Sequence, residues 1–192
     1  MSKNKPENRL DKIYTRSGDA GKTSLAQGKR IYKSDNHIKA LGDIDELNCV
    51  IGVLIASYAT QDSLNSIFTG IQNTLFDIGG ELAMNDEQYP SLEQHFIDQL
   101  EQHIDQFNLQ LTPLKEFILP GGHISAAQCH LARAVCRRAE RQLIELTIDG
   151  DKFSQSKKYL NRLSDFLFVA ARILNKQNNY PEPHWQASTK PN

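Results

Sequence analysis

Seven prolines, at positions 6, 90, 113, 120, 181, 183 and 191, leave long intervals free of the residue that most strongly breaks a helix. Within these intervals apolar residues recur every three or four positions, the period of an amphipathic helix. A first segment runs from about Asp35 to Tyr58, with Ile38, Leu41, Ile44, Ile51, Leu54, Ile55 and Tyr58 on one face. A second, from about Asp62 to Met84, carries Leu64, Ile67, Phe68, Ile71, Leu75, Ile78 and Leu82. Its Gly79-Gly80 pair is costly inside a helix and points to a close packing contact or a bend. A third opens after Pro90, with Ser91 as its N-cap and Glu93 and Gln94 in its first turn, and shows Leu92, Phe96, Ile97, Leu100, Ile104 and Phe107. Residues 109–122 form a connection. A fourth helix spans about Ser125 to Leu146, ended by Thr147 to Gly150, and a fifth about Ser154 to Lys176. Strand alternation is confined to short pieces near Ile13 and Ile31. Five helices of about twenty residues, joined by short loops, predict an all-α, five-helix up-and-down bundle. The expected organisation is one domain over 1–192: an arm (1–34), the bundle (35–178) and an irregular tail (179–192) in which Trp185 docks somewhere.

The arm holds the least helix-like stretch, Tyr14-Thr-Arg-Ser-Gly-Asp-Ala-Gly-Lys-Thr-Ser-Leu25, with only Ala20 apolar between its ends. Such a segment makes neither a core strand nor an amphipathic helix. It can expose backbone N–H groups at Gly18 and Gly21 and set Arg16, Lys22 and the hydroxyls of Thr15 and Thr23 around a multiply charged anion. The alternative is a plain polar loop. Gly21-Lys22-Thr23 invites a Walker A reading, but that motif needs glycine where Arg16 stands, and no G-x-G-x-x-G is present either.

Charge limits the partners. With 22 Lys+Arg against 23 Asp+Glu, the net charge is −1, so general nucleic-acid or acidic-membrane binding lacks its basic excess and any anion site is local. No apolar run approaches a membrane span, and the first twelve residues have neither an apolar signal core nor transit-peptide composition. A cytoplasmic location is expected. Cys49, Cys129 and Cys136, an odd count without C-x-x-C, read as reduced, buried thiols. The six histidines include no H-E-x-x-H or H-x₃-H pair, so no protein-held metal is expected.

Polar residues crowd helices that should be apolar. On the fourth, Arg133, Arg137, Glu140 and Arg141 share a face at i, i+4, i+7 and i+8, beside Arg138. The stripe is either a solvated face or an anion site. Every cation between Gly122 and Asp149 is arginine, the residue suited to bidentate phosphate or carboxylate recognition. The fifth carries Asn161 and Asp165 one turn apart beside an apolar stripe. The first carries Asp43, Asp45, Glu46 and Asn48, acids that either face solvent or anchor those arginines within or between subunits.

Six ordered blocks carry a resemblance: Tyr14-Thr15-Arg16-x-Gly18-Asp19-x-Gly21-x-Thr23, Lys33-x-Asp35, Gly42-x-x-Asp45-Glu46-Leu47-Asn48, Phe117-Ile118-Leu119-Pro120-Gly121-Gly122, Arg133-x-x-x-Arg137-Arg138-Ala139-Glu140-Arg141 and Asn161-Arg162-Leu163-Ser164-Asp165. Over nearly its whole length the chain resembles the PduO-type ATP:corrinoid adenosyltransferases. The resemblance implies a homotrimer with ATP, accompanied by Mg²⁺, at each subunit interface. Thr15, Arg16, Ser17, Gly18, Asp19, Gly21, Lys22 and Thr23, assisted by Lys33, are then implied to wrap the triphosphate. Arg137, Glu140, Arg141 and Asn161 are implied to contact the nucleotide from the neighbouring chain, and Asp45 with Arg133 to form an intersubunit ion pair. Phe117 is similar to the aromatic that occupies the lower face of the corrin and keeps an axial ligand off cobalt; ordinary core packing is its alternative. Arg137, Glu140 and Phe117 are the implied catalytic residues. Asn36-His37 depart from the family's frequent x-Arg, leaving an anchoring cation missing or replaced by His37. No tail residue transfers to the corrinoid site.

The implied reaction moves the 5′-deoxyadenosyl group of ATP to the cobalt of cob(I)alamin and releases triphosphate. Cob(I)alamin is a strong nucleophile, which fits a sequence with no nucleophile–base pair. The implied partners are ATP and cobalamin, with a flavoprotein reductase and an adenosylcobalamin-dependent enzyme as protein partners. A carrier or ATP-responsive regulator on the same trimer, and a small-molecule kinase, are the competing classes.

Overall fold

The computed structural model describes residues 14–57, 63–86, 88–147 and 152–186. A hairpin of β1 (Lys22–Ser24) and β2 (Arg30–Tyr32) precedes five helices: α1 (Asn36–Ser57), α2 (Ser63–Met84), α3 (Gln94–Asn108), α4 (Ile124–Leu146) and α5 (Ser154–Gln177). The helices lie where the apolar period places them. The purely α expectation is corrected by the hairpin: β2 is the short strand piece expected near Ile31, and β1 is its unforeseen partner. They pair antiparallel with Lys22 opposite Tyr32, Thr23 opposite Ile31 and Ser24 opposite Arg30. Gly28, at φ +84°, supplies the left-handed residue of the turn, and its N–H donates to the Leu25 carbonyl. The strand piece expected near Ile13, and the helix ends at Tyr58 and Asp62, lie outside the described residues.

α1 packs on α2 and α4, α4 on α5, and α5 on α3. The α2–α3 and α3–α4 connections therefore join helices that are not main packing partners. All five helices feed one apolar core, with Leu47, Ile51, Leu54, Phe68, Leu75, Ile78, Leu143, Leu160 and Phe166 fully buried. Each such side chain contributes about 1.5–3 kcal/mol by leaving water. Phe68 of α2 meets Phe166 of α5 edge-on at 6.1 Å between ring centroids.

Three local expectations are corrected. Ser91 does not cap α3: the helix starts at Gln94, after extended Glu93, whose side chain makes no capping bond. Leu92 is buried in the core, and residues 91–93 stand outside any helix or strand. Cys49 is exposed, although Cys129 and Cys136 are buried. Those two thiols donate to the carbonyls of Leu167 and Leu160 on α5, and burial pushes both well above the usual thiol range. Finally, α3 has 15 residues and is the shortest helix. The Gly79-Gly80 pair is a packing contact: a Cβ at Gly80 would sit 2.9 Å from the Tyr89 hydroxyl, which occupies that space.

Candidate active site

The arm is folded on itself by one cation that sequence reasoning missed. Arg30, on β2, donates through Nη2 to the carbonyls of Ser17 (2.6 Å) and Lys22 (3.3 Å), drawing both ends of the Ser17–Lys22 loop onto the hairpin. The signal available was its place next to Ile31, in the short strand piece expected there, where it stands opposite Ser24. The Gly21 N–H donates to the Gly18 carbonyl and the Lys33 N–H to the Gly21 carbonyl. Gly21 lies at φ +79° and Arg16 at φ +59°, a left-handed conformation that disfavours an ordinary side chain. Gly18 has a different reason to be small. A Cβ there would meet Lys33 Nζ at 3.1 Å, so the missing side chain lets the ammonium reach the loop. Thr15 Oγ1 and Ser17 Oγ are 2.7 Å apart. Lys22 Nζ lies 4.7 Å from the Tyr32 ring centroid. Thr15, Arg16, Ser17 and Asp19 are exposed, and Lys22 and Thr23 half-buried. The Ala26 N–H donates to the Ala83 carbonyl, tying the hairpin to the end of α2.

His37 does not replace a missing cation. It is buried, its Nε2 is hydrogen-bonded to the Leu82 carbonyl, and its ring meets Phe153 edge-on. Asp35 accepts from the His37 N–H at 2.9 Å and so supports the start of α1.

The face shared by α4 and α5 brings together four of the expected residues. Asn161 Nδ2 donates to Glu140 Oε1 at 2.8 Å, joining the two helices. Arg137 and Arg141 are exposed, with no hydrogen bond or ion pair among the described residues. Arg138 takes the acids of α1: Nε lies 3.5 Å from Asp43, and Nη2 bonds Glu46. Asp45 is left exposed and makes no ion pair with Arg133 within the chain. Arg133 is half-buried, and its Nε is shielded from solvent without a hydrogen-bond partner among the described residues. Asp165 pairs with Arg162 at 2.9 Å.

None of the Thr15–Thr23 residues shares a hydrogen bond or ion pair with Arg137, Glu140, Arg141 or Asn161. The expected nucleotide ligands thus fall into two groups that a single chain does not join.

Phe117 stands apart from both, in the connection between α3 and α4. It is not a core residue: 79% of it is exposed. With Leu114, Lys115, Glu116, Ile118 and Phe168 it lines a cavity of about 430 Å³. The tail meets it there. Trp185 approaches the ring edge-on at 6.4 Å, and the Trp185 N–H donates to the Phe117 carbonyl at 2.8 Å.

Comparison with known proteins identifies the family. Residues 13–174 match the family described as cobalamin adenosyltransferase. The chain is 45% identical over 179 residues to a cobalamin adenosyltransferase of Cupriavidus metallidurans, covering 93% of this chain and 96% of that one. It is 38% identical over 181 residues to a corrinoid adenosyltransferase of Bacillus subtilis, covering 92% and 93%. A solved structure of a variant PduO-type ATP:corrinoid adenosyltransferase from Lactobacillus reuteri, complexed with cobalamin and ATP, superposes with a TM-score of 0.87 at 34% identity, covering 92% of this chain and all of that one (100%). A second variant of that enzyme, complexed with ATP, gives 0.83 at 35% identity, covering 91% and 100%. With a family match over residues 13–174 and a fold shared over 92% of its length, the chain belongs to the cobalamin adenosyltransferase family.

Proposed function

We propose that the protein is a corrinoid adenosyltransferase that transfers the 5′-deoxyadenosyl group of ATP to the cobalt of cob(I)alamin, working as a homotrimer with a nucleotide site between neighbouring protomers. One observation carries this reading. Arg16, Lys22, Lys33, Arg137 and Arg141 have no carboxylate partner in the chain among the described residues, although the sequence has slightly more acids than bases. Cations left unpaired in two clusters call for an anion supplied from outside, and a triphosphate has the charge to satisfy both.

In this reading Thr15, Arg16, Ser17, Gly18, Asp19, Gly21, Lys22 and Thr23 wrap the triphosphate with Lys33 behind them. Arg137, Glu140, Arg141 and Asn161 close on the nucleotide from the neighbouring protomer. The Glu140–Asn161 bond fixes part of that face before substrate arrives. Asp45, exposed in a groove between α1 and α2 beside Phe76, pairs across the interface with Arg133, whose Nε lacks a partner among the described residues. Mg²⁺ enters as MgATP and lowers the charge of the departing triphosphate; no group of three His, Cys, Asp or Glu that could hold a metal occurs among the described residues.

The chemistry is a displacement. The cobalt(I) electron pair forms the Co–C5′ bond as the C5′–O5′ bond breaks, and triphosphate leaves with that bonding pair. Arg16, Lys22 and Arg137 stabilise the charge that develops on the leaving group. Phe117 occupies the lower corrin face and excludes an axial base, which lowers the cobalt orbital that must accept the electron producing Co(I). A flavoprotein reductase supplies that electron, and an adenosylcobalamin-dependent enzyme takes the product. No helix among the described residues is long and apolar enough to cross a membrane, which is compatible with work in the cytoplasm.

Mixing the protein with MgATP and chemically reduced corrinoid should replace the cob(I)alamin spectrum by that of a light-sensitive alkylcobalt, with triphosphate released. Release of ADP would identify a kinase, and binding without an alkylcobalt product would leave a carrier or regulator.

A further inference from the structure

The last turns of α5 carry two buried polar side chains that the nucleotide chemistry does not use. Arg172 is 4% exposed and Asn175 is 1% exposed. Both grip the connection that bears Phe117, at its opposite ends. Asn175 Oδ1 accepts from the His123 N–H at 2.9 Å, and its Nδ2 donates to the Gly121 carbonyl at 3.3 Å. Gly122, at φ +103°, makes room for this: a Cβ there would lie 2.1 Å from Asn175 Oδ1. Arg172 Nη2 donates to the Thr112 carbonyl at 2.8 Å, near the start of the same connection.

Arg172 also holds the tail. Its Nε and Nη2 donate to the two carboxylate oxygens of Glu182 at 2.7 and 3.2 Å, a bidentate and directional pair. The Tyr180 N–H donates to the Asn175 carbonyl, so the chain turns back as it leaves α5. From Glu182 onward it runs antiparallel to the Phe117 segment. The Leu119 N–H donates to the Pro183 carbonyl at 2.7 Å, the Trp185 N–H donates to the Phe117 carbonyl at 2.8 Å, and Ile118 faces His184 between them.

This explains how an apolar ring stays out in the open. Phe117 gains nothing from solvent and would bury itself if its backbone could turn. The tail holds the backbone on both sides of Ile118, and the Trp185 ring stands against one edge of the phenyl group. The tail is in turn held by Glu182. We propose that Arg172 and Glu182 form a latch that positions Phe117, acting on the corrinoid end of the reaction and not on the nucleotide end. The proposal deepens the corrinoid reading of the Phe117 cavity and rests on it. Arg172 and Glu182 are positioning residues, because they reach the cavity only through the tail and the loop.

Trp185 is the single tryptophan of the chain, so its emission reports this one place. Glu182→Gln keeps the shape of the tail residue and removes its charge. The variant should shift tryptophan emission to the red and increase acrylamide quenching. Its KM for corrinoid should rise about tenfold, the scale of one charge-assisted hydrogen bond, with KM for ATP unchanged. Glu182→Asp, retaining the charge, should recover part of the emission and of the corrinoid KM. Unaltered emission and corrinoid KM in Glu182→Gln would overturn the latch. A parallel rise in both KM values would also overturn it, since that marks general loosening. The emission readout needs no turnover, so it judges the latch even if the parent protein fails to form adenosylcobalamin.

Discussion

Arg137 stands on the exposed side of α4, with no ion pair among the described residues to answer its charge. A guanidinium in that position contributes little to folding, so its removal separates chemistry from stability. Arg137→Ala should reduce turnover by roughly 10²–10³-fold, or about 3–4 kcal/mol in the transition state by comparison with lost oxyanion donors. The helical circular dichroism should stay as in the parent; a collapse of that signal would make the arginine structural. His130 presents the opposite case. It is 3% exposed, both ring nitrogens lack a hydrogen-bond partner among the described residues, and Phe168 packs edge-on against it. Burial lowers its pKa to about 4, Arg133 adds to the lowering and Glu182 opposes it. The ring is therefore neutral when folded, while the unfolded chain takes up the proton near pH 6.5. Its contribution is complete above about pH 6.5 and is lost as pH falls toward 4, by up to about 3 kcal/mol. His130→Leu should flatten unfolding free energy against pH over that window; an unchanged slope would show that the buried imidazole is not the group that titrates.

At the scale of elements, the connection between α3 and α4 matters more than its irregular trace suggests. Phe117→Ala should depress turnover much more when reduction starts from Co(II) than when Co(I) is supplied. Equal losses in the two assays would remove its axial-face role. The helices themselves were legible because a period of 3.6 over twenty residues leaves few alternatives. Their ends were less so. Ser91 looked like a cap, yet burial of Leu92 decided the path of residues 91–93. Half of the hairpin was legible, as the strand piece near Ile31; its partner Lys22–Ser24 lies in the polar loop with no apolar alternation, and is joined to it through Gly28 and through Arg30 reaching across to backbone carbonyls. Cys49 lies on the outer side of α1, a facing that residue type alone does not reveal. The blocks Tyr14–Thr23 and Arg133–Arg141 raised the expectation of an anion site through composition and order, and the proposed function rests on it. That Arg172 and Glu182 hold the tail against Phe117 was not visible, because a tail of prolines and polar residues has no periodicity to read.

Across the whole molecule, the two cation clusters belong to surfaces that the single chain does not bring together by any hydrogen bond or ion pair among the described residues. Assembly would unite them. The groove between α1 and α2, about 520 Å³ and lined by Asp45, Leu41, Leu75 and the exposed Phe76, is the surface on which a neighbour would bring Arg133. Asp45→Asn should therefore weaken the proposed trimer, shifting the population toward smaller species in light scattering; an unchanged distribution of species would contradict the ion pair. The decisive measurement is complementation. Lys22→Ala and Arg137→Ala, each inactive alone, are co-expressed and purified together, then assayed with MgATP and cob(I)alamin. If loop and helix meet across an interface, random mixing restores about a quarter of parental activity, the share of interfaces that combine an intact loop with an intact helix. Mixed assemblies as inactive as either variant alone would show that the site does not lie between protomers, and the account would fail.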